Sequence, residues 1–247
     1  MKDAVKGLSK NDIINLLSEN REHECEGIGR DKICGRITAV ADLPTRYGQF
    51  QTIAFYNNLD NKDHAALVHG NIINQENVIV RLHSECLTGD VFGSLRCDCH
   101  DQLITALGII RKEKAGVLIY LRQEGRGIGF SNKIKAYALQ EEGLDTKEAN
   151  IALGFRDDER EYSVAAHIIR SLKIKSVRLM TNNPHKIAEL EQYGVKITER
   201  IPLIIPPNKH NRFYLETKEK KFGHMLNGIS EHFPEKVGIP LLKKITP

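Results

Sequence analysis

Apolar residues recur along this chain with two different periods, and the change from one to the other divides it. Near the start, Ser9-Lys-Asn-Asp12 precedes Ile13, Ile14, Leu16 and Leu17, the signature of a short capped amphipathic helix. The charged stretch Asn20-Arg-Glu-His-Glu-Cys25 follows, so residues 1–34 read as a helical appendage and a linker. From Gly35 to Leu82 the apolar runs are strand-sized, at 36–40, 49–55, 65–69 and 78–82, with Pro, Gly and Asn between them. Beyond Cys99 the period lengthens. Leu103, Ala106, Leu107 and Ile110 share one helical face, a strand is predicted at 116–121, and a helix capped by Ser131 runs to Glu142. A helix over 160–172, a strand at 176–180, a helix from Pro184 to Tyr193 and a strand at 195–198 complete the pattern. Strands alternating with helices predict an α/β fold: a mixed sheet covered by helices in three layers, with a strand-rich N-terminal part.

Composition narrows the function classes. A chain of 247 residues can bury a substantial core without covalent staples. Five cysteines, an odd number, and no leader-like segment point to a reducing compartment, the cytoplasm. No apolar run has the length of a membrane span. The net charge of +4, from 36 basic and 32 acidic residues, is too mild for a dedicated nucleic-acid binder, and with aromatics at 6% and no Trp a base-stacking platform is not expected. A local pocket for a small polyanion remains compatible with that charge.

Three of the cysteines, Cys86, Cys97 and Cys99, cluster beside a charged loop containing Gly89. Three thiolates suit zinc, and a three-ligand site leaves one position for water where a structural site is closed by a fourth protein ligand. His83 and His100 are the nearby residues able to close it. Cys25 and Cys34, with His23, could also bind metal or be unpaired thiols of an irregular segment.

In α/β sheets, ligands gather at the carboxyl ends of strands. Two further loops at such ends are suited to anions. Arg122-Gln-Glu-Gly-Arg126-Gly-Ile-Gly129 offers close backbone approach and two guanidinium groups, while Asn183 and Pro184 start a helix whose N–H groups Thr181 and Lys186 reinforce. Each is also an ordinary strand-to-helix turn. Asp157-Asp-Glu-Arg160 is accounted for by acids at the start of the 160–172 helix.

Taken in order, Arg81-Leu-His-Ser-Glu-Cys86-Leu-Thr-Gly-Asp90, Ser94-Leu-Arg-Cys97-Asp-Cys99, Arg122-Gln-Glu-Gly-Arg126, Lys133-Ile-Lys-Ala-Tyr137, Asp145-Thr146-Lys-Glu-Ala-Asn150 and Thr181-Asn-Asn-Pro-His-Lys186 resemble GTP cyclohydrolase II. The resemblance spans residues 35–226 as a catalytic domain, leaving 1–34 as an extension and 227–247 as a tail. It implies hydrolysis of GTP to formate, diphosphate and a diamino-pyrimidinone ribosylamine 5'-phosphate, the first committed step of riboflavin biosynthesis. It further implies zinc on Cys86, Cys97 and Cys99, Mg²⁺ for diphosphate release, and a homodimer. The implied GTP contacts are Arg81, Leu82, His83, Ser84, Glu85, Gln102, Glu124, Gly125, Arg126, Thr146, Thr181 and Lys186. The implied catalytic residues are Tyr137, Asp158 as proton acceptor and Arg160 as nucleophile toward the α-phosphorus. A guanidinium is effectively always protonated, so Arg160 is equally readable as a charge clamp. Tyr137 has a plainer reading as a core aromatic beside Ile134 and Ala138. The length leaves no room for a fused dihydroxybutanone phosphate synthase domain, so a monofunctional enzyme is expected. Two other readings are a related ring-opening enzyme that feeds another pathway or stops at a formamido intermediate, and a non-catalytic zinc module with a fourth protein ligand and a basic face.

Overall fold

The computed structural model describes residues 7–21, 27–28, 32–60 and 62–226, in which seven strands make one mixed sheet. Helix α1 (Lys10–Arg21) begins as expected, with the Ser9 hydroxyl accepting from Asp12 N at 3.2 Å and the Asp12 carboxylate accepting from Ser9 N at 2.9 Å. Cys25, His23 and the 227–247 tail lie outside the described residues.

Strands β1 (Gly35–Thr45) and β2 (Gly48–Asn57) form a long antiparallel hairpin. β1 outruns the expected 36–40 because it is an edge strand, where Pro44 breaks no ladder on its open side. β3 (His64–His69), β4 (Val78–Ser84), β5 (Gly116–Leu121), β6 (Val177–Met180) and β7 (Ile197–Ile201) complete the order β1-β2-β3-β5-β4-β6-β7. Pairing is antiparallel from β1 through β3 to β5 and parallel from β5 through β4 and β6 to β7.

The period of two along the strands sorts side chains into two cores. Val80, Leu82, Ile119 and Leu179 pack with Leu16 of α1, Ile168 of α5 (Ser163–Ser171) and Leu190 of α6 (Pro184–Gln192). Ile79, Leu118 and Met180 point the other way, onto Ala106, Leu107 and Ile110 of α2 (Cys99–Ile110). Helices therefore cover both faces, as the three-layer expectation requires. None of the described helices is long and apolar enough to cross a membrane. Ile168 is fully buried at the centre of the larger core, so Ile168→Ala is expected to cost about 2–5 kcal/mol. Urea unfolding checks this: the midpoint should fall with the slope unchanged.

Three helical expectations are corrected. Helix α3 (Phe130–Glu141) takes Gly129, at φ 83°, as its N-cap in place of Ser131. Helix α5 starts at Ser163, not 160, because Asp158 is engaged by Arg160 two residues on, and those residues stay a loop. Their acids therefore do not complement a helix dipole. Two helices have no counterpart in the sequence reading: α4 (Thr146–Ala152), with Asp145 and Glu148 forming a capping box, and α7 (Arg212–Phe222).

Candidate active site

Parallel register brings the carboxyl ends of β4, β5 and β6 side by side, with Ser84 opposite Leu121 and Arg81 opposite Met180. A cavity of about 320 Å³ opens there, bounded by the three loops singled out above and by α7.

At one end are the thiols. The chain leaves β4 through Glu85 and Cys86 into a single wide turn, Leu87–Val91, which a buried carboxylate organises. Asp90 accepts from Cys86 N at 3.0 Å, Tyr120 Oη at 2.8 Å and His83 Nε2 at 3.0 Å, and the His83 ring stacks on Tyr120. His83 is thereby committed to the loop's framework. His100 Nδ1 lies 3.2 Å from the Asp90 carbonyl oxygen. Among the described residues the convergent set of metal-capable groups is Cys86, Cys97 and Cys99, whose sulfurs all lie within 4.8 Å of one another. Neither histidine belongs to it.

The electrostatics fit a metal-binding role. Hydrogen bonds from the Cys97 and Cys99 thiols, with the charge of Lys133, hold the Cys86 thiol far below its ordinary range, whereas the Cys97 thiol, bonded to Cys86, is pushed up to about 11. One shared thiolate in a nest of sulfurs is what a cation displacing the remaining protons would meet. Lys133 of α3 lies 3.1 Å from Cys86 Sγ and 2.8 Å from Glu124 Oε1, while Glu124 Oε2 accepts from Leu87 N at 2.5 Å. Glu124 thus ties the thiol turn to the β5 loop. Gly89 leaves the sulfurs their room: a Cβ there would stand 2.8 Å from Cys97 Sγ and 3.0 Å from Cys86 Sγ. If the three sulfurs hold zinc, as proposed below, Gly89→Ala is expected to weaken its retention by about 10–100-fold, the range for disturbed support around metal ligands. Chelator competition measures it, and unchanged affinity would refute the cradle.

Tyr137 faces this end from α3. Its hydroxyl is 3.4 Å from Thr88 Oγ1, Arg96 lies over its ring at 4.7 Å, and burial raises its pKa so that it keeps its proton. Ile134 is exposed and Tyr137 lines the cavity, which overturns the core reading.

The other end is cationic. Arg81 is buried on β4, donating to Met180 O at 3.0 Å and to Gln102 Oε1, and burial pulls its pKa down to about 10. Gln102 in turn donates to Asp98, which pairs with Lys218 of α7 at 2.9 Å. Asn183 caps α6 by accepting from His185 N at 2.9 Å, as the sequence predicted. Lys186, one turn on, is buried with its ammonium on the Leu82 carbonyl oxygen at 2.8 Å; burial, then Arg81 and Arg160, push its pKa well down. Leu82 contributes that oxygen only, since its side chain belongs to the core. Ser84 and Thr181 also line the cavity, as do Gly125 and Thr146 at the start of α4; Glu85 lines it too and sits 3.6 Å from Arg122.

Arg126 adopts a left-handed conformation at φ 61°, strain that a non-glycine residue bears only where its surroundings fix it. Its carbonyl accepts from Glu159 N at 3.0 Å, and its guanidinium lies 4.0 Å from the centre of the Phe222 ring. Arg160 lines the cavity, with Nε 2.8 Å from Asp158 Oδ1 and Nη2 on Oδ2. Burial works to lower the Arg160 pKa, but the fields of Tyr162 and Asp158 and the Asp158 hydrogen bond outweigh it and hold the guanidinium protonated.

Fold and cavity together are those of an α/β enzyme. The family model for GTP cyclohydrolase II matches residues 36–202. GTP cyclohydrolase-2 of Picrophilus torridus is 56% identical over 185 residues, covering 75% of this chain and 96% of that protein. The riboflavin biosynthesis protein RibBA of Bacillus mycoides is 57% identical over 185 residues, and RibBA of Endomicrobium trichonymphae is 50% identical over 234 residues, 93% of this chain. The chain spans about half the length of these RibBA relatives, 47% and 56% respectively. Among solved structures, RibBX, a two-domain 3,4-dihydroxy-2-butanone 4-phosphate synthase from A. baumannii, aligns at TM-score 0.39 and 15% identity over 76% of this chain and 44% of that one. This chain belongs to the GTP cyclohydrolase II family.

The matched span ends before α7, which nevertheless supplies Tyr214, Lys218 and Phe222 to the cavity, with His224 just after it. Sequence reasoning attached no role to these residues, nor to Lys133 and Asn150 beyond their place in matched strings. The signals available were the resemblance itself, which reaches Leu226 and includes Tyr214-Leu-Glu-Thr-Lys218, and the lysines Lys218, Lys220 and Lys221, which read by themselves as a solvated helix face.

Proposed function

We propose that this chain hydrolyses GTP, opening the imidazole ring of guanine with release of formate and releasing diphosphate from the triphosphate, in riboflavin biosynthesis. The observation that carries the reading is the two-ended cavity: a three-thiol cluster and a cluster of buried cations share one space of nucleotide size. Cys86, Cys97 and Cys99 would hold zinc; bound there, it supplies a Lewis acid that makes water nucleophilic at neutral pH.

The chain's own groups then divide the work. Lys133 offsets the negative charge gathered on Cys86, and Glu124 keeps Lys133 in place. Tyr137, protonated and facing the cavity, offers a hydroxyl to the nitrogen or oxygen that gains charge as the ring opens. At the far end Arg81, Arg126, Lys186 and Lys218 bind the triphosphate, taken as its Mg²⁺ complex. Arg160, aimed by Asp158, acts on the α-phosphate as a charge clamp: a guanidinium held this firmly protonated has no lone pair to attack with.

Retention of Asp158 and Arg160 at the cationic end favours full processing over a reaction that stops at a formamido triphosphate. The protein, loaded with zinc, is incubated with GTP and Mg²⁺, and formate, diphosphate and the mass of the nucleotide product are scored separately. Both small products and a monophosphate pyrimidine are expected. A main product that keeps its triphosphate would overturn the assignment in favour of the formamido reading.

A further inference from the structure

The C-terminal helix and the turn after it lie against the cationic end of the cavity, and one residue there has no part in the assignments above. Helix α7 ends at Phe222, Gly223 takes the left-handed conformation that turns the chain, and His224 follows. The turn is fixed at both sides. His224 N donates to Lys218 O at 3.1 Å, Met225 N donates to Asn182 O at 2.9 Å, and Leu226 is buried. The second of these bonds ties the turn to the β6–α6 junction, so the imidazole is held on the cavity wall by main chain on either side.

Four cations act on this imidazole from four elements: Lys218 on α7, Lys186 on α6, Arg160 in the loop before α5 and Arg126 in the loop after β5. The carboxylates at this end are already engaged, Asp98 with Lys218 and Asp158 with Arg160. Burial first, and then these cations, push the His224 pKa down to about 2, so in the free protein the ring is neutral. A polyphosphate in the cavity reverses the sign of the field, because several negative charges would then stand among the same four cations. An imidazole in that setting becomes a good proton acceptor, and once protonated both ring nitrogens donate hydrogen bonds.

We propose that the turn after α7 completes the polyphosphate end of the cavity and that His224 is a proton-accepting binding residue, taking one proton from solvent as the polyphosphate binds and donating an N–H to a phosphate oxygen. The proposal rests on the reading of the cavity as a GTP site. Its consequence is a linkage: proton and polyphosphate each strengthen the binding of the other. Affinity is level above the pKa of His224 in the complex and rises as pH falls through and below it.

Calorimetric titration with inorganic triphosphate, which has no ring to open, tests this at pH 7.5 in buffers of different ionisation enthalpy. The wild-type protein is expected to take up roughly one more proton per site than His224→Gln, whose amide can still hydrogen-bond but does not titrate there. His224→Gln and His224→Asn are both expected to bind about tenfold more weakly at neutral pH, with the difference shrinking as pH rises. Equal proton uptake by wild type and both variants would overturn the role of His224 while leaving the GTP site intact. Failure of wild-type protein to bind triphosphate at all would overturn the polyphosphate reading of the cavity and this proposal with it. Far-UV circular dichroism and bound zinc, unchanged in the variants, confirm that α7 and the thiol end are folded.

Discussion

Cys86→Ser is expected to release zinc and to lower formate production by about three orders of magnitude or more, the kinetic equivalent of several kcal/mol of lost charge stabilisation. Cys86 is the sulfur on which the cluster converges: Cys97 Sγ is 3.7 Å away, Lys133 donates to it, and its main-chain N–H is held by Asp90. A serine hydroxyl stays protonated where the thiol gives up its proton, so the substitution removes a soft anionic ligand while nearly preserving volume. Lys133 would then face a neutral group, and the Lys133–Glu124 pair would remain as the only compensation. Zinc content by elemental analysis and formate release measured together make the test sharp. A variant that keeps one zinc per chain and near-wild-type formate release would show that these thiols are not the metal's ligands.

How far the sequence carried can be read from individual elements. The central strands announced themselves: β5 is almost wholly apolar and matches the run at 116–121, while β4 begins with the run at 78–82 and extends two residues further, carrying Arg81 and His83 toward the site. The loops after β4, β5 and β6 could be located from the sequence as well: three close thiols stood out, while the glycine-rich turn and the Asn-Pro helix start each also read as an ordinary strand-to-helix turn. The start of α5 was not. The pattern Asp157-Asp-Glu-Arg160 looks like a charged first turn, but the side chains of Asp158 and Arg160 satisfy each other across two residues, and Arg160 lines the cavity. Helix α4 carried its capping box in plain view at Asp145 and Glu148, yet its short length hid it. Helix α7 is the instructive miss. Its buried apolar side chain is Leu215, and what docks it are long-range ion pairs, Lys218 with Asp98 and Lys221 with Asp145, each joining residues far apart in the chain. No local period encodes such a partner.

The same ion pair shows how the two ends of the cavity are connected. Asp98 sits between Cys97 and Cys99, so the residue that anchors α7 is also part of the thiol loop, and through Gln102 it reaches Arg81 on β4. A chain of buried polar groups of this kind is rigid when every member is satisfied and costly when one is removed. The cationic end therefore rests on the same framework that fixes the sulfurs.

Replacing Arg160 is expected to separate the two reactions proposed for this cavity. Arg160→Lys retains a positive charge but loses the planar fork that Asp158 aims, and diphosphate release is expected to fall by about 10²–10³-fold, the usual effect of removing one well-placed donor to a developing anion. Arg160→Ala should fall further, because it removes the charge as well as the fork and leaves the Asp158 carboxylate without its partner. Formate release should suffer less in both variants, since Tyr137 and the thiols are untouched. Asp158→Asn supplies the complementary arm: the guanidinium keeps its charge and loses its aim, and an intermediate fall in diphosphate release is expected. The covalent alternative makes a different prediction for the wild-type enzyme. If Arg160 attacked the α-phosphorus, a phosphoramidate linking protein and nucleotide would accumulate or turn over, and intact-mass analysis of samples quenched in alkali during turnover would register the added nucleotidyl group. A charge clamp forms no bond to phosphorus, so no such mass is expected at any time in the reaction. Its appearance, at a level that rises and decays with substrate, would replace the clamp with the nucleophile and would require Asp158 to take the guanidinium proton first.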